Sequence, residues 1–373
     1  MKETDLTQGK IFQKLIKFSL PMIAGNLLQQ IYNLVDTLIV GRCLGADALA
    51  AVGSAYTLMI FITSIIIGLC MGSGAFFSED YGAGNQKKLK EDIWLSFWFI
   101  LSVSVVICAI IYPGMNFILW ILQTPKELME LTREYVTVVF VGIIFVFLYN
   151  FFAYLLRSMG NSFMPLVFLA ISSVLNIVLD IWFVAGLNMG VGGAALATVI
   201  AQAVSGLGLL IYSMIKIPVL KNNHERTGFN IQRLKEIIIN DVATGIQQSV
   251  MNFGILMIQG LVNSFGITIM ASFAAAVKID TIAYMPAQEF GNAYSLFVSQ
   301  NYGADEKDRI RKGTHISFVI SALFCVVISL MIFIFAENLM RIFIDADEIR
   351  IIAEGTRYLK IEGSMYVGIG VLF

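Results

Sequence analysis

Apolar stretches of about 20 residues recur along the whole chain, and each is long enough to cross a hydrocarbon core of roughly 30 Å. Across 373 residues, 58% are hydrophobic and 14% are charged. Lipid offers no partner to a backbone N–H or C=O, so segments of this kind satisfy themselves as helices. The expected fold is an all-α polytopic membrane protein. Ten spans are predicted, at 15–40, 50–76, 93–113, 132–156, 163–186, 191–216, 236–263, 269–298, 314–336 and 350–373. With the N-terminus inside, seventeen Lys and Arg fall on the inner side and seven on the outer. That asymmetry predicts a cytoplasmic N-terminus.

The chain repeats itself. FFSEDYGAGNQKKLKEDIWLSF at 76–97 matches FVSQNYGADEKDRIRKGTHISF at 297–318. Ser78, Tyr81, Gly82, Ala83, Ser96 and Phe97 recur 221 residues later as Ser299, Tyr302, Gly303, Ala304, Ser317 and Phe318. Both copies are basic and follow an even-numbered span, so both lie on the inner side. The repeat is therefore parallel, with its axis along the membrane normal, as in secondary transporters whose halves rock about a central site. It divides the chain into a six-span lobe at 1–216, a cytoplasmic linker at 217–235 and a partial second lobe of four spans at 236–373. By that symmetry the sequence is expected to lack two further helices.

Polar residues within the spans form rows. Asn26, Gln29, Asn33 and Asp36 are spaced 3, 4 and 3, which places them on one helix face. Ser172, Asn176 and Asp180 form a second row, Thr198, Gln202 and Ser205 a third, and Gln248, Asn252, Gln259 and Asn263 a fourth. Several helices with one polar row each describe a bundle around a wet cavity. Interhelical hydrogen bonding is the alternative reading of any single amide or hydroxyl. Gln29, Asn33, Gln202, Gln248, Asn252 and Glu289 are the candidate substrate-cavity residues.

The carboxylates carry more information. An ionised Asp at a helix centre costs roughly 2.5–3.5 kcal/mol on insertion scales, and Asp36 and Asp180 both face that cost. Loss of water favours the proton-bound form. A carboxyl that gains and loses a proton, or trades it for Na⁺, is the device of an ion-coupled transporter. The first half has no Lys or Arg deep in a span to pair with them. In the second half Lys278 and Asp280 open the eighth span, poorly spaced for a helix pair at i, i+2, and Glu289 lies deeper. Pro21, at the inner end of the first span, removes a backbone hydrogen bond and allows a bend. Cys43, Cys70, Cys108 and Cys325 are scattered, and the two histidines are too few for a histidine-rich metal site. No Walker A sequence is present, which disfavours ATP-driven transport.

The stretches LPMIAGNLLQQIYNLVDTLIVGRCLG in the first span, LRSMGNSFMP at 156–165, LNIVLDIWFVAGLNMGVGGAALATVIAQ at 175–202 and the paired YGAGN and YGADE loops resemble the multidrug and toxic compound extrusion (MATE) family. The resemblance covers the whole chain. It implies two six-helix lobes in a V, opening alternately to each side, with about ten of those helices present here. It also implies cation-coupled export of organic, often cationic, compounds. In DinF-like prokaryotic relatives the N-lobe cation site matches Asp36, Asn176, Asp180, Tyr135 and Thr198, and the first-helix bend matches Pro21. NorM-like relatives place a Glu on the seventh helix at a C-lobe Na⁺ site. The corresponding TGIQQSVMNFG offers Asn252 and no acid, which shifts weight to the N-lobe. Asp36 and Asp180 suit either H⁺ or Na⁺, and no firm metal site is expected.

The expected function is thus a secondary active multidrug efflux transporter in a bacterial plasma membrane, acting as a monomer on small organic cations among membrane lipids. It needs no cofactor and no nucleic acid. A flippase for lipid-linked saccharides is the competing reading, but it requires basic cavity residues for a pyrophosphate, and Lys278 is the one deep candidate. An intramembrane enzyme is disfavoured, because the two Asp lack a Gly-x-Gly-Asp setting.

Overall fold

The computed structural model describes residues 5–121, 126–221, 230–263, 265–345 and 347–372. Among these the chain is helical throughout, with thirteen α-helices and one π-helical turn where about ten helices were expected. The first half holds α1 (Ile11–Leu44), α2 (Ala46–Gly82), α3 (Gln86–Ile121), α4 (Lys126–Val141), α5 (Ile143–Ser158), α6 (Phe163–Asp180), the π turn (Ile181–Gly186) and α7 (Gly190–Lys216). The short α8 (Pro218–Lys221) follows. The second half holds α9 (Ile231–Asn263), α10 (Ile267–Gly303), α11 (Lys307–Phe343), α12 (Ile349–Gly363) and α13 (Tyr366–Leu372). Residues 222–229 of the expected linker lie outside the described residues.

The extra helices come from breaks in two expected spans. The span expected at 132–156 is divided at Gly142 into α4 and α5, which bend by 42°. Gly142 lies against the Gln202 side chain of α7, where a Cβ would overlap the amide oxygen. The stretch expected at 350–373 breaks after Gly363 into α12 and α13. Among the described residues six helices qualify as spans by length and apolarity, or seven with the bent pair. With 34 and 33 residues α1 and α9 are long enough but miss that test, which fits the polar rows they carry. The helix α1 runs through Pro21 without a break.

Buried apolar side chains gather by half. One cluster extends from Val40 to Val219 and another from Ala275 to Tyr366. A third ties Leu6, Leu15, Phe18 and Met22 to Phe290, Ala293, Leu296 and Phe297. The halves also meet where α2 runs against α9. There Gly68 abuts the Gly245 backbone so closely that a Cβ would lie 2.5 Å from its Cα. Small residues of this kind let helix backbones approach within a membrane. On α11 the side chains of Leu323, Leu330, Phe333 and Ile334 face outward, as a lipid-facing surface requires.

The repeat is visible in backbone detail. After α2, Gly84 takes φ +67° and Asp305 takes φ +57° at the equivalent place after α10. In both, the last turn closes with the same pair of bonds: Asn85 N–H to Asp80 C=O and Gly84 N–H to Tyr81 C=O, then Glu306 N–H to Asn301 C=O and Asp305 N–H to Tyr302 C=O. This is the Schellman termination. The two ends then pack on each other reciprocally. A Cβ on Gly82 would overlap the Gln300 carbonyl, and one on Gly303 would overlap the Glu79 carbonyl. Each contact is the other shifted by 221 residues, as a pseudo-twofold axis demands. Gly303→Ala is expected to push the helix ends apart at a cost of about 1–3 kcal/mol, the usual range for overpacking. The readout is the melting temperature in detergent, and an unchanged value would show that these ends do not touch.

The segment before each half docks on the loop end of the other half. Ahead of α1, Leu6 N–H donates to Gln300 Oε1 at 2.9 Å, while Arg309 donates to the Leu6, Gln8 and Gly9 carbonyls at 2.7–3.1 Å. Near the start of α9, Arg233 donates to both Asp92 carboxylate oxygens at 2.8 and 2.5 Å, and lies over the Phe76 ring at 4.5 Å. Phe297, the repeat partner of Phe76, lies under Arg309 at 5.8 Å.

Candidate functional site

A cavity of about 500 Å³ opens in the first half between α1, α2, α4, α5, α6 and α7. That is the size of a small-molecule site. Its wall includes Gln29, Asn33 and Asp36 from α1, Tyr135 from α4, Asn176 from α6, and Thr198 and Gln202 from α7. The rows at 29–36, 172–180 and 198–205 therefore converge on one space. They do so because i, i+3 and i, i+4 neighbours share a face and the remaining faces are apolar enough to pack.

Asp180 sits just behind the wall, fully buried at the last turn of α6. The π turn begins at the next residue, and such turns concentrate at functional sites because they re-aim a side chain and loosen the ladder. The Asp36 and Asp180 carboxyls lie within hydrogen-bonding reach of each other. As carboxylates neither supplies a donor, and Asp36 Oδ1, both Asp180 oxygens and Asn176 Oδ1 are buried without a hydrogen-bond partner. Tyr135 is buried nearby and within reach of Thr198. The Thr198 hydroxyl donates to the Ala194 carbonyl at 3.1 Å, so it faces Tyr135 as an acceptor.

Four orphaned acceptor oxygens in one place have a chemical meaning. Each costs about 1–3 kcal/mol when buried unpaired. A proton shared between the two carboxyls relieves that cost, and so does a hard cation, which prefers oxygen ligands. Among the described residues no group of three or more His, Cys, Asp and Glu is gathered as a metal centre.

Three expected cavity residues lie elsewhere. Gln248 Nε2 is turned toward Met71 Sδ at 3.5 Å, in the contact of α9 with α2. Asn252 Nδ2 donates to the Gln248 carbonyl at 3.0 Å, within its own helix. Their row-mates Gln259 and Asn263 have side chains outside the described residues. Glu289 accepts from Asn26 Nδ2 at 2.9 Å and Asn292 Nδ2 at 3.2 Å, and so bridges α10 to α1. Gln248 is used in packing, Asn252 bonds its own helix, and Glu289 already has two donors.

Other residues of the wall carried weaker signals. Tyr32 lies one turn before Asp36 and one after Gln29, on the same face of α1. Tyr56 accepts from Asn33 Nδ2 at 3.5 Å, and Tyr149 donates to the Pro165 carbonyl at 3.2 Å. Lys278 enters the wall from α10 of the other half. Its expected neighbour Asp280 instead accepts from Tyr366 at 2.6 Å.

Comparison with known proteins agrees with this architecture. The family model described as MatE matches residues 21–182 and 243–373. A probable multidrug resistance protein, YpnP, of Bacillus subtilis is 32% identical over all of this chain and 83% of its own length. A probable multidrug resistance protein, NorM, of Thermotoga maritima is 26% identical over 90% of this chain and 72% of its own. A crystal structure of MATE in complex with MaL6 superposes with a TM-score of 0.92 at 22% identity, covering 99% of this chain and 83% of that one.

Proposed function

The chain belongs to the MatE family, and on that premise we propose that it is a multidrug efflux transporter whose export of organic, often cationic, compounds is coupled to entry of H⁺ or Na⁺ at Asp36 and Asp180. The supporting observation is the set of buried oxygens without donors at the wall of a drug-sized cavity. An ion bound there satisfies them, and a substrate cation drawn to the same oxygens competes with it. Mutual exclusion at one site is what antiport requires. Asn176 holds the ion through its amide oxygen, while Tyr135 and Thr198 close the site. Gln29, Asn33 and Gln202 face the drug.

In this reading 1–216 and 236–373 move as two lobes joined by 217–235, and Pro21 lets α1 flex. The N-terminus and both repeat loops are cytoplasmic, in a bacterial inner membrane, where each inward charge gains about 2.3 kcal/mol per 100 mV. The protein works as a monomer.

Inside-out vesicles loaded with the protein test the coupling. Accumulation of a fluorescent organic cation is followed under an imposed pH gradient alone and a Na⁺ gradient alone. Accumulation under at least one, and none without a gradient, is the expected outcome. Equal accumulation with and without both gradients would defeat the antiport reading.

A further inference from the structure

We propose that Lys278 is a specificity-determining residue that receives an acidic group of the transported compound, so that the cavity favours amphoteric molecules over simple cations. The inference rests on the reading of Asp36 and Asp180 as the cation-binding pair and adds a second, opposite pole to that site.

Lys278 stands in a segment that spans the membrane, Thr268–Gly303, where an ammonium group is costly. Such a charge persists in a span when it pairs or works. No salt bridge among the described residues includes it. The two acids of the same helix are otherwise engaged: Asp280 is buried with the Tyr366 hydroxyl, and Glu289 takes the Asn26 and Asn292 amides. The Lys278 side chain is exposed, and it lines the cavity that holds Asp36. Among the described residues it is also the one contribution of the second half to that wall.

The cavity is therefore bipolar. Its first-half side carries the Asp36 carboxyl, with Asp180 just behind it, and its second-half side carries the Lys278 ammonium. Tyr32, Tyr56 and Tyr149 line the same cavity and supply flat apolar faces with polar edges. A protonated amine fits one pole and a carboxylate fits the other, with an aromatic body between. For a simple cation the same Lys278 is repulsive, which is how a site discriminates as well as attracts. Because the poles lie on different halves, a molecule bound to both also links the halves that must move.

The test uses two dyes that differ in one group: a rhodamine with a free benzoic acid, which is a zwitterion, and its methyl ester, which is a monocation. Gradient-driven uptake of each is measured for the wild-type protein, Lys278→Gln and Lys278→Met. Loss of a charge-assisted contact is expected to raise KM for the acid at least about tenfold, and loss of the repulsion to lower KM for the ester. Uptake of the ester also reports that the variants fold. KM values that shift together in the same direction would overturn the inference, as would an acid KM that does not move. If the wild-type protein accumulates neither dye under either gradient, the export reading itself fails and this inference falls with it.

Discussion

Asp180→Asn abolishes gradient-driven export while the protein still reaches the membrane, and its melting temperature in detergent rises. The two effects are expected together because they share a cause. Both Asp180 oxygens are buried without a donor, and Asp36 lies within reach. An amide at this position brings an N–H that donates to Asp36 permanently. It occupies the place of the exchangeable proton and cannot leave. The coupled step is lost, and drug resistance in a susceptible host falls to the level of empty cells. The same amide replaces one orphaned acceptor of residue 180 with a donor and satisfies another on Asp36, each worth about 1–3 kcal/mol, so the folded state gains. An acid serving only to hold α6 in place predicts the reverse, with stability lost and export retained. Asp180→Glu separates chemistry from shape, since it keeps an exchangeable proton and is expected to retain part of the export. Full resistance in Asp180→Asn would end the coupling role of this pair.

The carboxyl pair was legible in the sequence because its physics is local. Asp36 and Asp180 each violate the apolar composition of a span, and their row-mates at three- and four-residue spacing fix the face. The parallel repeat was legible for a similar reason: the YGAGN and YGADE endings demand the same left-handed residue at Gly84 and Asp305. Contacts between distant helices were not. Whether Gln248 looks into the cavity or at Met71 depends on how α9 rotates against α2, and its own row of amides permits either. Glu289 looked solitary until α1 supplied Asn26 from 263 positions away. Lys278 was visible as an anomaly, but its neighbour in sequence was the wrong partner to consider. The glycine at the 142 break lies against Gln202 of α7, a contact that no window around residue 142 contains.

Arg233→Ala is expected to open the loop end of the bundle, and the size of the effect follows from how the arginine is held. Its guanidinium donates to both oxygens of Asp92, which is fully buried, and lies 3.7 Å from Asp80, which is 2% exposed. Lys88 is the nearer partner of Asp80, at 3.0 Å, although it is itself more than one-third exposed. Arg233 is thus the principal countercharge for Asp92 and a second, more distant one for Asp80, and it arrives from the opposite half. Removing one partner of a buried pair typically costs about 3–5 kcal/mol, because the other charge is stranded. Part of that cost is escaped by separating α9 from α2 and admitting water to Asp92. A shift of about 3 kcal/mol changes the balance of open and closed forms by roughly a hundredfold. A reporter cysteine at Ser78, buried and donating to the Leu296 carbonyl across the halves, reads that opening in a variant whose exposed Cys43 is replaced. Labelling by a membrane-impermeant maleimide is expected to rise steeply with Arg233→Ala. Asp92→Asn added to Arg233→Ala removes the stranded charge, so labelling falls back toward the starting level and the melting temperature recovers. Unchanged labelling in Arg233→Ala, or no recovery with Asp92→Asn, would mean that the ion pair does not hold the two halves together.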